Sequence, residues 1–177
     1  MKMYNGNNQN NWSKPRNDQK NSYSQERETP AIKHEVLTKD NYSDLAEQRI
    51  LAIKKRVEES NQKNAGSIST AKLRDILSMA LEVYYALPKK NVGEKVELDA
   101  ILDRINYFKI RCYYEASREQ KVKGFIEDTD IFWYLEEFGK PAGGEKDKAK
   151  DILEQQFILF VRYMEALVAF RAYHMKG

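Results

Sequence analysis

The stretch FILFVRYMEALVAF, at residues 157–170, is apolar on almost every side of a helix and contains only two charged side chains, Arg162 and Glu165. A helix of this kind is buried among other helices in a protein core. We therefore predict that a helix at about 148–174 lies centrally against several others. A membrane span is the competing interpretation, but the two charges and the short apolar length count against it.

Outward from this helix, the chain after Tyr42 shows apolar residues at spacings of three and four, which is the period of amphipathic helices. No segment alternates apolar and polar residues as a half-buried strand does. The fold class predicted is all-α, a compact bundle of about five helices with a disordered N-terminal tail. The predicted helical segments are 43–62 with Ser43 as N-cap, Ser69 or Thr70 to Pro88, 94–118, Val122 to Gly139, and 148–174.

The first 30 residues are rich in asparagine and hold few apolar side chains. Such a segment cannot bury enough surface to offset the entropy that ordering costs. We predict a disordered Asn-rich tail over residues 1–41 and a helical-bundle domain over residues 42–177. The chain starts without the apolar run of a signal peptide, and it lacks an uncharged stretch of roughly 18 residues, so we expect a soluble cytoplasmic protein.

Composition argues against several classes of site. Lys and Arg number 30 and Asp and Glu 27, so the formal net charge of +3 is too small to indicate nucleic-acid binding by itself. The single cysteine, Cys112, excludes a disulfide framework and a cysteine zinc site, and its place on an apolar stripe predicts a buried thiol. His34 and His174 are far apart in the chain, which disfavours a histidine metal cluster.

Candidate catalytic motifs are weak. Gly139 and Gly144 have the spacing of a phosphate-binding loop, but Glu145 occupies the position of the required lysine and no strand precedes it. The carboxylates at residues 127–137 have no partner histidines, so we interpret them as solvated helix ends or a surface patch. We predict no catalytic residue, no metal and no cofactor.

Basic residues on the third helix form the most informative pattern. Arg104, Arg111 and Arg118 recur every seven residues, which places them on one stripe roughly 21 Å long. Guanidinium groups along a stripe can contact successive phosphates of a single strand without reading its sequence. The alternative is a salt-bridged helix face, since Glu115 is four residues from Arg111 and three from Arg118.

Aromatic residues lie between these charges, at Tyr107, Phe108, Tyr113 and Tyr114. Stacking on bases is one interpretation, but helical spacing favours a packing role for Phe108 and Tyr114. The basic segment is followed by the acidic stretch 127–137, an arrangement that would allow copies to associate head to tail.

Three blocks, in this order and spacing, resemble a known family. They are STAKLRDIL at residues 69–77, YFKIR followed by YEASR at residues 107–118, and FVRYMEALVAF at residues 160–170. Together they resemble the small helical subunit of the type III-A CRISPR effector, the Csm interference complex, over about residues 38–175. Ser117, where the family often has glycine, and the long polar tail depart from the family pattern.

The resemblance implies a non-catalytic RNA-binding subunit that acts in antiviral defence. In that family a few copies stack into a minor filament beside the repeated backbone subunits, and the groove between the filaments holds guide RNA paired to target RNA. The implied partners are the guide RNA, the target RNA, further copies of the chain, and the other Csm subunits. Those subunits are the repeated backbone subunit, the large subunit and the subunit that caps the minor filament.

The resemblance also selects candidate RNA-binding residues, to which the local charge pattern adds Arg104, Lys121 and Lys123. The family's basic positions fall on Lys72, Arg74, Lys109, Arg111, Arg118 and Arg162. Lys54 and Lys55 are further candidates, and Arg162 has an alternative structural role as a partner of Glu165 or of a neighbouring helix. The small subunit of a type III-B complex and a purely structural helical adaptor remain the alternative functions.

Overall fold

The longest helix lies at the centre of the bundle, as its apolar sequence predicts. The computed structural model describes residues 34–60, 68–87, 98–138 and 146–175. These residues form six helices and no strand, which confirms the all-α class. The helices are α1 (Tyr42–Glu59), α2 (Thr70–Ala86), α3 (Leu98–Arg118), α4 (Gln120–Asp128), α5 (Ile131–Glu137) and α6 (Lys146–His174).

Helix α6 packs most extensively against α1, next against α2, and also against α3. Its two charged residues in the apolar stretch, Arg162 and Glu165, are exposed, while its large side chains fill the core. The buried side chains of α6 include Leu153, Phe157, Phe160, Val161, Tyr163, Met164 and Leu167. Within the described ranges, no helix is both long and apolar enough to cross a bilayer.

The starts of α1 and α2 differ in how they are capped. At α2 the Ser69 hydroxyl accepts a hydrogen bond from the Lys72 backbone N–H at 3.1 Å, so Ser69, and not Thr70, is the N-cap of the two predicted. At α1 the N-cap position is Asn41 rather than Ser43, so that prediction is wrong. Thr38 and Asn41 bond each other instead, each side-chain oxygen accepting from the other residue's backbone N–H.

Helix α3 is sharply amphipathic. Its buried residues are Ile101, Ile105, Phe108, Cys112 and Ala116. Their spacing of three and four turns one face toward the core and leaves the opposite face to solvent. Burial raises the pKa of the Cys112 thiol to about 12, so this cysteine is the predicted structural thiol.

The fourth predicted segment is two helices, α4 and α5, separated at Thr129 and Asp130. Asp130 has φ 57°, in the left-handed region, where Asp is one of the few non-glycine residues found regularly. Both residues are buried, and their buried polar side-chain atoms have hydrogen-bond partners. The Thr129 hydroxyl donates to the Phe125 carbonyl at 2.7 Å, and the Thr129 carbonyl accepts from the Tyr163 hydroxyl at 2.9 Å.

Residues 34–41, which the sequence analysis assigns to the end of the tail, lie against the bundle. The His34 ring stacks on Trp133 with centroids 5.0 Å apart, and Leu37 is buried. The Tyr134 hydroxyl donates to the Glu35 carbonyl at 2.9 Å. The rest of the predicted tail, residues 1–33, lies outside the described residues, as does the glycine-rich break at residues 139–144.

Candidate nucleic-acid interface

The solvent face of α3 carries arginine and tyrosine in alternation. Arg104, Tyr107, Arg111, Tyr114 and Arg118 follow one another at intervals of three and four residues, so all five lie on one side of the helix. We call these five residues the Arg–Tyr stripe. Tyr107 is 62% exposed and Tyr114 58% exposed. The stripe is therefore accessible along its length.

Two of the arginines lie over tyrosine rings of the same stripe. The Arg111 guanidinium carbon is 6.0 Å from the Tyr107 ring centroid, and that of Arg118 is 5.4 Å from Tyr114. These are cation–π distances, and each pair is four residues apart along the helix. Each contact holds a guanidinium group beside a tyrosine ring, and both groups remain at the surface.

The alternative ion pairs within α3, from Glu115 to Arg111 or Arg118, are not present at ion-pair distance, although both arginines help to lower the pKa of Glu115. Glu115 pairs instead with Lys72 on α2, and Arg111 pairs with Glu82, also on α2, at 3.1 Å. The Arg111 and Glu82 side chains are 40% and 67% exposed, so this pair is a weak one. Neither Arg104 nor Arg118 has a carboxylate within ion-pair distance among the described residues.

A shallow groove between α2 and α3 borders the stripe. It has a volume of about 370 Å³, and Arg104, Tyr107 and Arg111 form part of its wall. Its other lining residues are Met79, Glu82, Val83, Asp103 and Phe108. The groove has an apolar floor and charged edges, which suits a ligand that has both a flat apolar part and a charge.

Three of the predicted RNA-binding lysines are paired within the chain. Lys72 Nζ is 2.5 Å from Glu115 Oε2, and the Lys72 ammonium lowers the pKa of that carboxyl below its usual range. Lys109 and Lys123 lie 3.7 and 3.9 Å from Glu136 and Glu127, respectively. The Lys72–Glu115 pair is the least exposed of the three, so Lys72 has a structural role in joining α2 to α3.

The remaining basic candidates are dispersed. Arg74 on α2, Lys121 on α4 and Arg162 on α6 are exposed, and within the described ranges none has a carboxylate at ion-pair distance. The alternative pairing of Arg162 with Glu165 is therefore absent. Lys54 and Lys55 each lie 3.9 Å from the carboxylate four residues later on α1. Of the predicted residues, the structure aligns only the three stripe arginines on one helix face.

The carboxylates at residues 127–137 are less available than the sequence suggests. Asp130 is buried, with its two oxygens 2.5 Å from Arg49 Nη2 and 3.0 Å from His34 Nδ1. Burial raises the pKa of Asp130, and the nearby Arg49 and His34 oppose the rise. Asp128 is paired with Arg56. The interpretation of this stretch as a solvated patch is therefore wrong for Asp130. Over the part of the chain that the structure describes, no group of acidic, histidine or cysteine side chains could hold a metal ion.

Sequence reasoning correctly placed Phe108 in the core but wrongly assigned Tyr114 to packing. Phe108 is buried and Tyr114 is exposed. Tyr107 and Tyr114 share the seven-residue spacing of the arginines, and this shared register was the signal that could have identified both rings. Tyr113, in contrast, stacks on Phe132 with centroids 4.0 Å apart.

Comparison with known proteins gives a consistent result, although no family model matches the chain. A Streptococcus thermophilus protein named CRISPR system Cms protein Csm2 is 29% identical over 135 residues, which are 76% of this chain and 92% of that protein. Proteins of the same name from Enterococcus italicus and Mycobacterium tuberculosis are each 27% identical, over 62% and 63% of this chain and 70% and 79% of their own lengths. These similarities confirm the resemblance to the small Csm subunit and support a subunit of a type III Csm complex.

Proposed function

We propose that this chain is the non-catalytic small subunit of a type III-A Csm complex and that it contacts RNA through the Arg–Tyr stripe of α3. The similarity to Csm2 proteins supports the place in the complex. The alignment of Arg104, Arg111 and Arg118 on one exposed face supports the RNA contact. It is the single observation on which the choice of surface rests.

The chemistry of the stripe suits a backbone contact. Successive arginines are about 10.5 Å apart along the helix axis. Among the described residues, no carboxylate lies at ion-pair distance from the guanidinium group of Arg104 or of Arg118. Guanidinium binds phosphate oxygens in a bidentate manner and stays charged at any physiological pH. Base pairing between guide and target supplies sequence specificity, so the protein needs only contacts that are independent of sequence.

We also propose how the subunit is placed within the complex. Several copies stack as the minor filament, in contact with the guide RNA, the target RNA and the other Csm subunits, and the assembly acts in cytoplasmic antiviral defence. Within one chain, Asp128, Asp130 and Glu136 are already paired. Of these, Asp130 is buried and therefore does not contact a neighbouring copy.

The decisive experiment is the triple substitution Arg104→Ala, Arg111→Ala and Arg118→Ala in the full-length chain. Affinity for single-stranded RNA is titrated across salt concentration by fluorescence anisotropy. Removing three phosphate contacts is expected to weaken binding about equally for unrelated sequences. It should also lower the slope of log affinity against log salt by about 2. Circular dichroism checks that the helices are intact.

A charge-matched control carries Lys39→Glu and Gln48→Glu, which lowers the net charge by the same amount at exposed positions on or before α1 that are not among the candidate RNA-binding residues. We expect this control to retain nearly all of the affinity and most of the salt slope. If the triple arginine variant is folded and keeps the salt slope of the wild type, the proposed surface is contradicted. An equal loss in both variants would mean that net charge, rather than the stripe, determines binding.

A purely structural adaptor is the second candidate, because Ile110 and Tyr113 are also exposed on α3. An adaptor that binds a protein partner through apolar contacts associates in a salt-insensitive way and is indifferent to the arginine substitutions. The salt titration therefore separates the two functions.

A further inference from the structure

We propose that Tyr107 and Tyr114 form a stacking platform for unpaired RNA bases, so that the stripe binds bases and phosphates in alternation. This inference rests on the proposed RNA-binding function and adds a ligand group to it. The arginines then contact phosphates, while the rings contact the flat faces of nucleobases.

Tyr107 and Tyr114 are accessible to a ligand. An exposed tyrosine ring offers a large apolar face. Tyr134 and Tyr163 are buried in the core, whereas Tyr107 and Tyr114 leave more than half of their surface in water, as Tyr85 and Tyr173 also do. Two large rings on one helix face, in register, are therefore available for a ligand.

Both rings lie beside arginines of the same stripe. Each has a guanidinium near it, at 6.0 Å for Tyr107 and 5.4 Å for Tyr114, from the arginine one turn later on the helix. A base that stacks on either ring therefore has a fixed positive charge beside it for its own phosphate. The pairing of an aromatic platform with cationic side chains is the usual composition of sites for single strands.

The neighbouring tyrosine, Tyr113, has a different environment. Tyr113 stacks on Phe132, and its hydroxyl donates to Glu136 Oε1 at 3.3 Å. That ring is engaged within the chain. Helix α3 therefore has one tyrosine ring that packs within the chain and two whose ring contacts, among the described residues, are with arginines of the stripe.

The chemistry predicts which RNA binds best. Stacking on an aromatic ring tolerates every base, because each base has a π face, and it therefore preserves sequence independence. It requires a base that is not already stacked between two neighbours. The platform should accordingly prefer single strands or displaced bases over a continuous duplex.

The test compares two double variants of the full-length chain. One carries Tyr107→Leu and Tyr114→Leu, and the other carries Tyr107→Phe and Tyr114→Phe. Leucine removes the aromatic face, whereas phenylalanine keeps it and removes only the hydroxyl. The probes are a single-stranded RNA and an abasic RNA of the same length. The control is Tyr85→Leu, since Tyr85 is 68% exposed and lies on α2 rather than on the stripe.

We expect the leucine variant to bind single-stranded RNA at least about fivefold more weakly for each base that stacks, with an unchanged salt slope. The phenylalanine variant and the Tyr85 control should bind like wild type. Abasic RNA should bind wild type and the leucine variant equally. Thermal unfolding is expected to be unchanged, because both rings are exposed.

Several results would overturn the inference. One is wild-type affinity in the leucine variant, and another is an equal loss in the phenylalanine variant or in the Tyr85 control. A changed salt slope in the leucine variant would show that the rings act only by positioning the arginines. If the leucine variant binds normally while the triple arginine variant does not, the stacking platform fails and the proposed function stands. If neither variant loses affinity, both fail.

Discussion

Arginine serves two different purposes in two regions of this molecule. At the corner between α4 and α5, Arg49 donates to the buried carboxylate of Asp130, and His34 bonds its other oxygen. On α3, Arg104 and Arg118 are exposed and have no carboxylate at ion-pair distance within the described ranges. The residue type is the same in both regions. The difference in burial and partner shows that charge alone does not identify a binding residue.

The corner between α4 and α5 contains a buried charge that is paired within the chain. Asp130 is almost completely buried, and its oxygens are shared between side chains of α1 and of the segment before it. The polar contacts of Thr129 with Phe125 and Tyr163 extend this network into the core. The corner therefore connects residues 34–41, α1, α4, α5 and α6.

Loss of the buried carboxylate should have the largest effect on stability. Asp130→Ala leaves Arg49 without this partner, and breaking a buried pair from one side costs about 3 kcal/mol or more. Urea unfolding at neutral pH measures the change. The matched control is Asp128→Ala, two residues earlier, where the partner Arg56 is more than half exposed and the expected loss is about 1 kcal/mol or less. Equal losses in the two variants would contradict the contrast between the regions.

An intermediate effect is expected for Lys72→Met, which removes a half-buried pair between α2 and α3. We expect a loss of about 1 kcal/mol at neutral pH, because Glu115 loses its closest partner. Lys54→Met, at a more exposed pair on α1, serves as the control and should lose less. Urea unfolding in parallel series provides both values, and a larger loss for the control would count against a structural role for Lys72.

The pH dependence of the Lys72 variant has a defined sign. Lys72 holds the pKa of Glu115 below its ordinary value, so the pair stabilises the fold above the ordinary carboxyl pKa of about 4.3. That contribution is lost as the pH falls through the lowered pKa. The stability difference between wild type and Lys72→Met should therefore shrink as the pH is taken from neutral to strongly acidic. A difference that stays constant would show that the ion pair is not its source.

The smallest stability effect is expected at the Arg–Tyr stripe. Arg104→Ala, Arg111→Ala and Arg118→Ala should each change the free energy of unfolding by no more than about 0.5 kcal/mol. The same variants should lose RNA affinity, so function and stability separate on this face. Thermal and urea unfolding test the expectation. If the three substitutions together lower the free energy of unfolding by more than about 2 kcal/mol, the stripe has a structural role like that of the buried charges.

Much of the fold could be predicted because helices have a local period. The apolar positions of α2 and α3, the serine cap of α2 and the central place of α6 all follow from spacings within one segment. The division of the fourth segment could not be predicted. It depends on Asp130 adopting a left-handed conformation and burying its side chain, where Arg49 and His34 lie opposite the carboxylate and offset part of the cost of its burial.

The candidate site was only partly predictable for a related reason. The seven-residue repeat places Arg104, Arg111 and Arg118 on one face whatever the rest of the chain does. Whether a nearby lysine is available depends on which carboxylate another helix brings close. Lys72 is 43 residues from its partner Glu115. Nothing in the local sequence of α2 indicates that contact.

The sequence by itself determined the helical class, the amphipathic faces and the line of arginines, because each follows from side chains within a few turns of one helix. The tertiary structure alone decided which charges are neutralised and which remain at the surface. It did so by bringing residues together across long separations, 81 residues for Arg49 and Asp130. Electrostatic energy depends on distance in space and on burial, and neither is a property of a residue's position along the chain.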